Sequence, residues 1–173
     1  SAASEVYKRQ LTLVHNETST GTMSRLEDIA ALKADFPDVM FIVDTVSSIS
    51  AVPLNFDALG IDVMLAGVQK AFALPPGLSL FATSPAAMEK AARMPDRGYY
   101  FELLEFEKNA EKNMTPSTPS IPHINGLSAQ LDVFFAEGLE NRYATPHWHR
   151  KHATGPRTTA LLSSPSRVLN PIP

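Results

Sequence analysis

Val39-Met40-Phe41-Ile42-Val43-Asp44, or VMFIVD, is an unbroken apolar run closed by one carboxylate. With no polar alternation, such a run reads as a strand buried inside a parallel sheet. The acid that ends it then falls at the strand's carboxyl end. Upstream, Leu11-Thr12-Leu13-Val14-His15 is a second short β-rich run. Between the two, Ser24 through Phe36 has helical periodicity, and Ser24-Arg25-Leu26-Glu27 has the spacing of a capping box at its start. Downstream, Ile61 to Ala66 and Leu78 to Thr83 read as two more strands. Ser84-Pro85 offers an N-cap and a first-turn proline for a helix to about Arg93, and a further helix is predicted from about Ile124 to Glu137. Strand and helix alternating from Leu11 to about Ser84 predict an α/β fold, with a mostly parallel sheet flanked by helices.

Composition narrows the function. The 173 residues, 44% hydrophobic and 19% charged, suffice for one core and at most part of a second domain. A net charge of -3, with no basic cluster interleaved with aromatics, gives no footprint for nucleic acid. No apolar run approaches the roughly 20 residues that span a bilayer, and the first residues lack the pattern of a signal peptide. A cytoplasmic chain without a membrane partner is therefore expected. With no cysteine present, disulfides, thiolate metal sites and cysteine nucleophiles are all excluded.

In open parallel sheets ligands lie beyond the carboxyl ends of the strands, where Asp44 and Gln69-Lys70 each follow an apolar run. Their chemistry is complementary. A lysine forms a Schiff base with an aldehyde cofactor, and a carboxylate keeps a pyridine nitrogen protonated so that the ring accepts electrons. From spacing alone a blander reading stands beside this one, with Lys70 a solvated strand-end residue and Asp44 a turn cap.

The motifs around these residues occur together: His15-Asn16-Glu17-Thr18-Ser19-Thr20-Gly21, Val43-Asp44-Thr45-Val46-Ser47-Ser48, Gly60-Ile61-Asp62-Val63, Gly67-Val68-Gln69-Lys70 and Pro75-Pro76-Gly77-Leu78-Ser79. In that order and spacing, from about Leu11 to Tyr143, the chain resembles the class V, fold-type I pyridoxal-phosphate aminotransferases, within the alanine/serine–glyoxylate group. The resemblance implies part of that family's large domain, with pyridoxal 5'-phosphate as cofactor. It makes Lys70 the Schiff-base lysine that also moves the substrate's α-proton, and Asp44 the partner of the pyridine nitrogen. It places Val46 on a ring face, Thr18 near the ring's oxygen edge or the substrate, and Gln69 on the phosphate. Related cysteine desulfurases and selenocysteine lyases usually carry histidine before the lysine, so Gln69 favours the aminotransferase branch. Val68 departs from the serine of many relatives and removes a hydroxyl from the phosphate site.

Asn113-Met114-Thr115-Pro116-Ser117-Thr118-Pro119-Ser120-Ile121-Pro122 reads by composition as an exposed linker. The resemblance implies instead a segment of a homodimer in which Thr118, and less directly Thr115, reaches the phosphate in the partner's site. The implied reaction moves an amino group from alanine or serine to glyoxylate or a similar 2-oxo acid. Phosphoserine or 2-aminoethylphosphonate transaminase and a desulfurase-like lyase are the alternatives within the fold, and a non-catalytic α/β binding module is the alternative outside it.

Three units are expected: residues 1–10 as a non-native leader, 11–137 as large-domain sequence, and 138–173 as the start of a C-terminal region. Val6-Tyr7-Lys8-Arg9-Gln10 matches the translation of a transposase adapter used in sequencing libraries. From Ala144 the chain becomes rich in Pro, Ser, Thr, Arg and His, as an aberrant or disordered tail after a frameshift would be. His147, Trp148, His149 and His152 in that tail lack a carboxylate or thiolate to complete a metal site, so no metal is expected. Glu102, Glu105, Glu107 and Lys108 read as the charged outer face of a helix. In the family, a glycine-containing phosphate turn, a ring-stacking residue and a substrate-gripping arginine lie outside the stretch represented here. Because misplacement by about 1 Å can cost roughly 100-fold in rate, a fragment inactive by itself is expected.

Overall fold

The computed structural model describes residues 10–144. The four tail residues His147, Trp148, His149 and His152 lie outside that range, as do residues 1–9. A four-stranded sheet forms from β1 (Gln10–Val14), β4 (Met40–Asp44), β5 (Val63–Gly67) and β6 (Ser79–Thr83), in the order β1-β4-β5-β6. The first three are parallel and β6 runs antiparallel to β5. A small hairpin, β2 (Asn16–Glu17) with β3 (Thr22–Met23), follows β1. Four helices complete the described fold: α1 (Leu26–Asp35), α2 (Pro85–Ala92), α3 (Leu103–Ala110) and α4 (Ile121–Glu137).

Strand pleating sorts the apolar run of β4 between two faces. Phe41 and Val43 are fully buried on one, while Met40, Ile42 and Asp44 are half-buried on the other. The buried face meets Leu26 and Ile29 of α1, and farther along it Ala66, Val68, Phe72 and Phe134 gather under α4. On the opposite face Val14, Leu65 and Phe81 stay between 41% and 43% exposed, although Phe81 packs edge-on against Phe106 of α3 with ring centroids 5.1 Å apart. The described helices therefore cover one face of the sheet fully and the other in part.

Two local expectations fail for physical reasons. The capping box does not form, because α1 begins at Leu26 with Arg25 as N-cap and no side-chain cap bond. Ser24 is held at the end of β1 instead, its amide donating to the His15 carbonyl at 2.8 Å and its hydroxyl to that of Val14 at 3.3 Å. Glu102 is not on an outer face. It is 8% exposed and N-caps α3, accepting from the amides of Leu104 and Glu105 and from Arg97 Nε at 3.0 Å. Glu105 and Lys108 do form an exposed pair, at 3.2 Å. Ser84 caps α2 as expected, accepting from the Ala87 amide. The helix expected from Ile124 starts one turn earlier, at Ile121, with Pro122 in its first turn.

Asp62 pins the amino-terminal side of the sheet. Its carboxylate accepts from the Phe41 amide at 2.8 Å, Lys33 Nζ at 2.7 Å and the Ser84 hydroxyl at 3.1 Å. A single buried side chain thereby joins α1, β4, β5 and the start of α2. This brace leaves the opposite edge, at the carboxyl ends of the parallel strands, as the place where the site residues collect.

Candidate active site

Parallel pairing sets Val14, Asp44 and Leu65 in one row across β1, β4 and β5. Residues in one row point to the same face, so the Asp44 carboxylate stands between two apolar side chains on the less-covered face. Asp44 Oδ1 accepts the Val46 amide at 2.9 Å, an Asx-type turn that fixes the carboxylate, and among the described residues no bond to Oδ2 is seen. The turn after Asp44 is secured from below, because the Thr45 hydroxyl donates to the Leu65 carbonyl at 2.6 Å.

Lys70 is exposed three residues beyond the end of β5, and among the described residues its ammonium has no partner. Its backbone is far from loose. The Ala73 amide donates to the Lys70 carbonyl at 2.9 Å, and Phe72 is buried against Phe134 with ring centroids 6.1 Å apart. Gln69 folds back over Gly67, so close that a Cβ on Gly67 would lie 2.6 Å from Gln69 Oε1. Val68 is fully buried in the α4 core, and its amide donates to the Leu78 carbonyl at 3.2 Å. Its side chain therefore packs into the core and its amide is taken at the entry to β6, so position 68 offers no donor to the site.

Asp44, Val46, Gln69 and Lys70 thus share one edge of the sheet. Thr18 is exposed in the turn of the β2–β3 hairpin, which is tied to the same edge when Asn16 Nδ2 donates to the Ser47 hydroxyl at 2.9 Å and that hydroxyl to the Asn16 carbonyl at 2.9 Å. Thr115 and Thr118 are exposed on the segment before α4, with the Thr115 hydroxyl donating to the Ser117 carbonyl at 2.6 Å. The end of that segment is drawn to the loop after Lys70 by His123. Its Nδ1 bonds the Ser120 hydroxyl at 2.7 Å, and its Nε2 donates to the Pro76 carbonyl at 3.2 Å.

Three contributors have no role in the sequence reading. His15 is buried beneath the turn after Asp44, with Nδ1 and Ser48 Oγ hydrogen-bonded at 2.8 Å. Burial pushes the His15 imidazole below its ordinary value, and Glu27 opposes the shift only in part. Asn16 holds the hairpin as described. Arg142 lies in a short helical stretch, 139–144, that begins after Gly138 breaks from α4. Its guanidinium carbon is 3.5 Å from the centroid of the Phe134 ring, while Nε donates to the Ser50 carbonyl at 2.7 Å and Nη2 to the Ala71 carbonyl. Burial lowers its pKa, with Glu137 and Tyr143 acting the other way. His15 and Asn16 carried a signal, since they head a quoted motif; Arg142 carried none, because its partners are main-chain oxygens far away in sequence.

Ser50 and Ala73, in the two loops joined by Arg142, have φ of 64° and 57°. For non-glycine residues this left-handed backbone costs about 1–2 kcal/mol each. Ser50 Oγ is also buried with no hydrogen-bond partner among the described residues. Such strain persists only where surroundings fix the chain, as they do here. Among the described residues no group of His, Cys, Asp or Glu is placed to hold a metal ion, and no helix is long and apolar enough to cross a membrane.

Comparison with known proteins adds the family. The class-V aminotransferase family model matches residues 7–163. The L-aspartate–glyoxylate aminotransferase of Paracoccus denitrificans is 40% identical over 146 residues, which cover 80% of this chain and 35% of that protein. The serine–glyoxylate aminotransferase of Arabidopsis thaliana is 37% identical over 135 residues, covering 77% and 34%. The crystal structure of an alanine–glyoxylate aminotransferase from Nostoc sp. superimposes with a TM-score of 0.78 at 30% identity, covering 87% of this chain and 41% of that one. The chain thus spans between a third and about two fifths of the length of these relatives, and the structural neighbours are fold-type I enzymes. From sheet, strand-end residues and sequence together, the chain belongs to the class-V aminotransferases.

Proposed function

We propose that this chain carries the lysine and carboxylate of a pyridoxal-phosphate transaminase site, and that the enzyme it belongs to transfers an amino group from alanine or serine to glyoxylate or a similar 2-oxo acid. The observation that carries the reading is that Asp44 closes β4 while Gln69-Lys70 follow the carboxyl end of β5, its parallel neighbour. The family implies the cofactor, and the donor set suits it: an amine for an aldehyde, a carboxylate with one free oxygen for a ring N–H, and an amide for a phosphate. When bound, pyridoxal phosphate supplies an aldehyde carbon and an electron-accepting ring.

The chain's own groups divide the remaining work. Lys70 Nζ would hold the cofactor's aldehyde carbon and, when the substrate is bound, would take the proton from the substrate α-carbon. Asp44 Oδ2 would accept from the ring N–H and keep that nitrogen charged, with the half-exposed Val14 and Leu65 on either side of it. Val46 would pack on the ring, Gln69 would bond the phosphate, and Thr18 would lie toward the ring oxygen or the substrate. Thr118 and, less directly, Thr115, both exposed before α4, would reach the partner's phosphate in a homodimer. A cytoplasmic location completes the proposal.

Names of relatives bear on the substrates. The three described above share glyoxylate and differ in donor, naming aspartate, serine and alanine. Glyoxylate is therefore the better-supported half of the reaction. The test begins with borohydride reduction after mixing the 173-residue chain with pyridoxal phosphate, followed by peptide mapping. Preferential labelling of Lys70 over the other lysines is expected, and labelling spread evenly among them would refute the assignment. In a protein completed to the relatives' length, glycine formed from glyoxylate reports the reaction. Undiminished glycine formation by Lys70→Ala would overturn it. Sedimentation of that protein tests the dimer.

A further inference from the structure

We infer that Arg142 is a positioning residue for Lys70: its guanidinium ties the Ala71 carbonyl to the Ser50 carbonyl, holding the lysine loop at a fixed distance from the loop that follows Asp44. Four observations meet at this side chain. Two of its nitrogens donate to main-chain oxygens in two loops, the one that carries the site's amine and the one that follows its carboxylate. Its planar face lies on Phe134, the ring against which Phe72 of the lysine loop is stacked. Glu137 lies 3.8 Å from Nη1 and orients the group from the remaining side. Each loop so held contains a strained residue, Ser50 in one and Ala73 in the other.

Geometry explains why arginine suits the task. A guanidinium offers several donors in one rigid plane, so a single side chain can bond two carbonyls while its face rests on an aromatic ring. An ammonium has no such plane. Gly138 makes the placement possible by ending α4, after which the chain turns and the Arg142 amide donates to the Gly138 carbonyl at 3.1 Å. The result is a clamp whose jaws are backbone. Lys70 is displayed from a turn closed on one side by the Ala73 amide and on the other by Arg142. Without the clamp the strained turn relaxes and the amine samples positions away from Asp44, although Lys70 itself is untouched.

This inference rests on the proposed function for its chemical consequence and on geometry alone for the clamp, so its test reads both. Amide exchange and borohydride trapping with pyridoxal phosphate are measured on the 173-residue chain as wild type, Arg142→Ala, Arg142→Lys and Ile29→Val. The last removes a methylene from the α1 core, far from the clamp, and controls for general destabilisation. In Arg142→Ala, exchange at Ala73 should quicken about tenfold while that at Val43 in β4 stays unchanged. Labelling of Lys70 relative to the other lysines should fall about fivefold, with its pH profile displaced. Arg142→Lys should fall between wild type and alanine, and it keeps the test open if the alanine variant does not fold. Wild-type exchange at Ala73 in Arg142→Ala overturns the clamp, and so does an equal quickening in Ile29→Val. Lys70 labelling that is not favoured even in wild type defeats the functional reading instead, and the exchange data then decide the clamp by themselves.

Discussion

Removing the Asp62 carboxylate should cost more stability than loss of any other polar contact described on the sheet's amino-terminal side. In Asp62→Ala three bonds vanish at once: from the Phe41 amide at 2.8 Å, Lys33 Nζ at 2.7 Å and the Ser84 hydroxyl at 3.1 Å. Phe41 is fully buried, so its amide is left unpaired at a cost of about 1–3 kcal/mol. The charge-assisted bond to Lys33 adds about 1.5–3 kcal/mol, and the hydroxyl, free to rotate, adds little. Lys33 still donates to the carbonyls of Pro37 and Val39 at 3.1 and 2.7 Å, which keeps the sum toward the middle of these ranges. A loss of about 3–5 kcal/mol follows, matching what breaking one side of a buried pair usually costs. For a chain of this size that lowers the melting midpoint by roughly 6–20 °C. Urea titration of wild type, Asp62→Ala, Lys33→Met and the double variant measures both the loss and the coupling. A loss under about 1 kcal/mol in Asp62→Ala, or additive single losses, would show that the carboxylate is not the brace described.

The remaining predictions concern pH, glycine and a cap. His15 has a folded pKa below its ordinary 6.5 because burial disfavours its cation, so the unfolded chain binds the proton first. Stability is therefore full above pH 6.5 and declines as pH falls below it; His15→Gln should flatten that part of a melting-temperature profile, and an unchanged slope would count against the buried neutral imidazole. Glu17, whose carboxyl is held below its usual 4.5 by bonds from the Ser19 hydroxyl and amide, acts in the same direction in a window below that value. Gly67→Ala should leave the melting temperature nearly unchanged, since only the flexible end of Gln69 must move, yet lower the preferential labelling of Lys70 in the trapping assay. Gly77→Ala should be clearly destabilising, because its φ of 148° suits glycine and its Cβ would lie 2.6 Å from the His123 ring. Glu102→Ala should cost about 1–2 kcal/mol through loss of the α3 cap, measurable by denaturant titration.

Legibility followed the range of each interaction. Met40 to Asp44 and Ser84-Pro85 announce their roles within a few residues, because apolar runs and N-caps are local devices, and both appear where expected. Ser24 misleads because two bonds to the end of β1 compete with capping, and no local pattern shows that strand end nearby. Glu102 misleads because burial beside Arg97 is tertiary. At the site, Asp44 and Lys70 were legible as residues at or after strand ends: Asp44 closes β4, and Lys70 follows three residues after β5, its parallel neighbour. The contacts of their supports were not legible, although His15 heads a recognisable motif. His15 meets Ser48 across 33 positions, and Arg142 meets Ser50 and Ala71 across 92 and 71.

Arg142 grips peptide oxygens, and every residue type supplies one. Substituting Ser50 or Ala71 therefore cannot remove a partner from it; such changes act only by altering the path of the main chain. At Ser50 that path has φ of 64°, which Asn, Asp or Gly would accept and a β-branched residue would resist. Pairs of compensating substitutions cannot reveal this hold, since just one of its three participants is encoded as a side chain. Searches for coupled positions would pass over it, whereas backbone amide exchange would not.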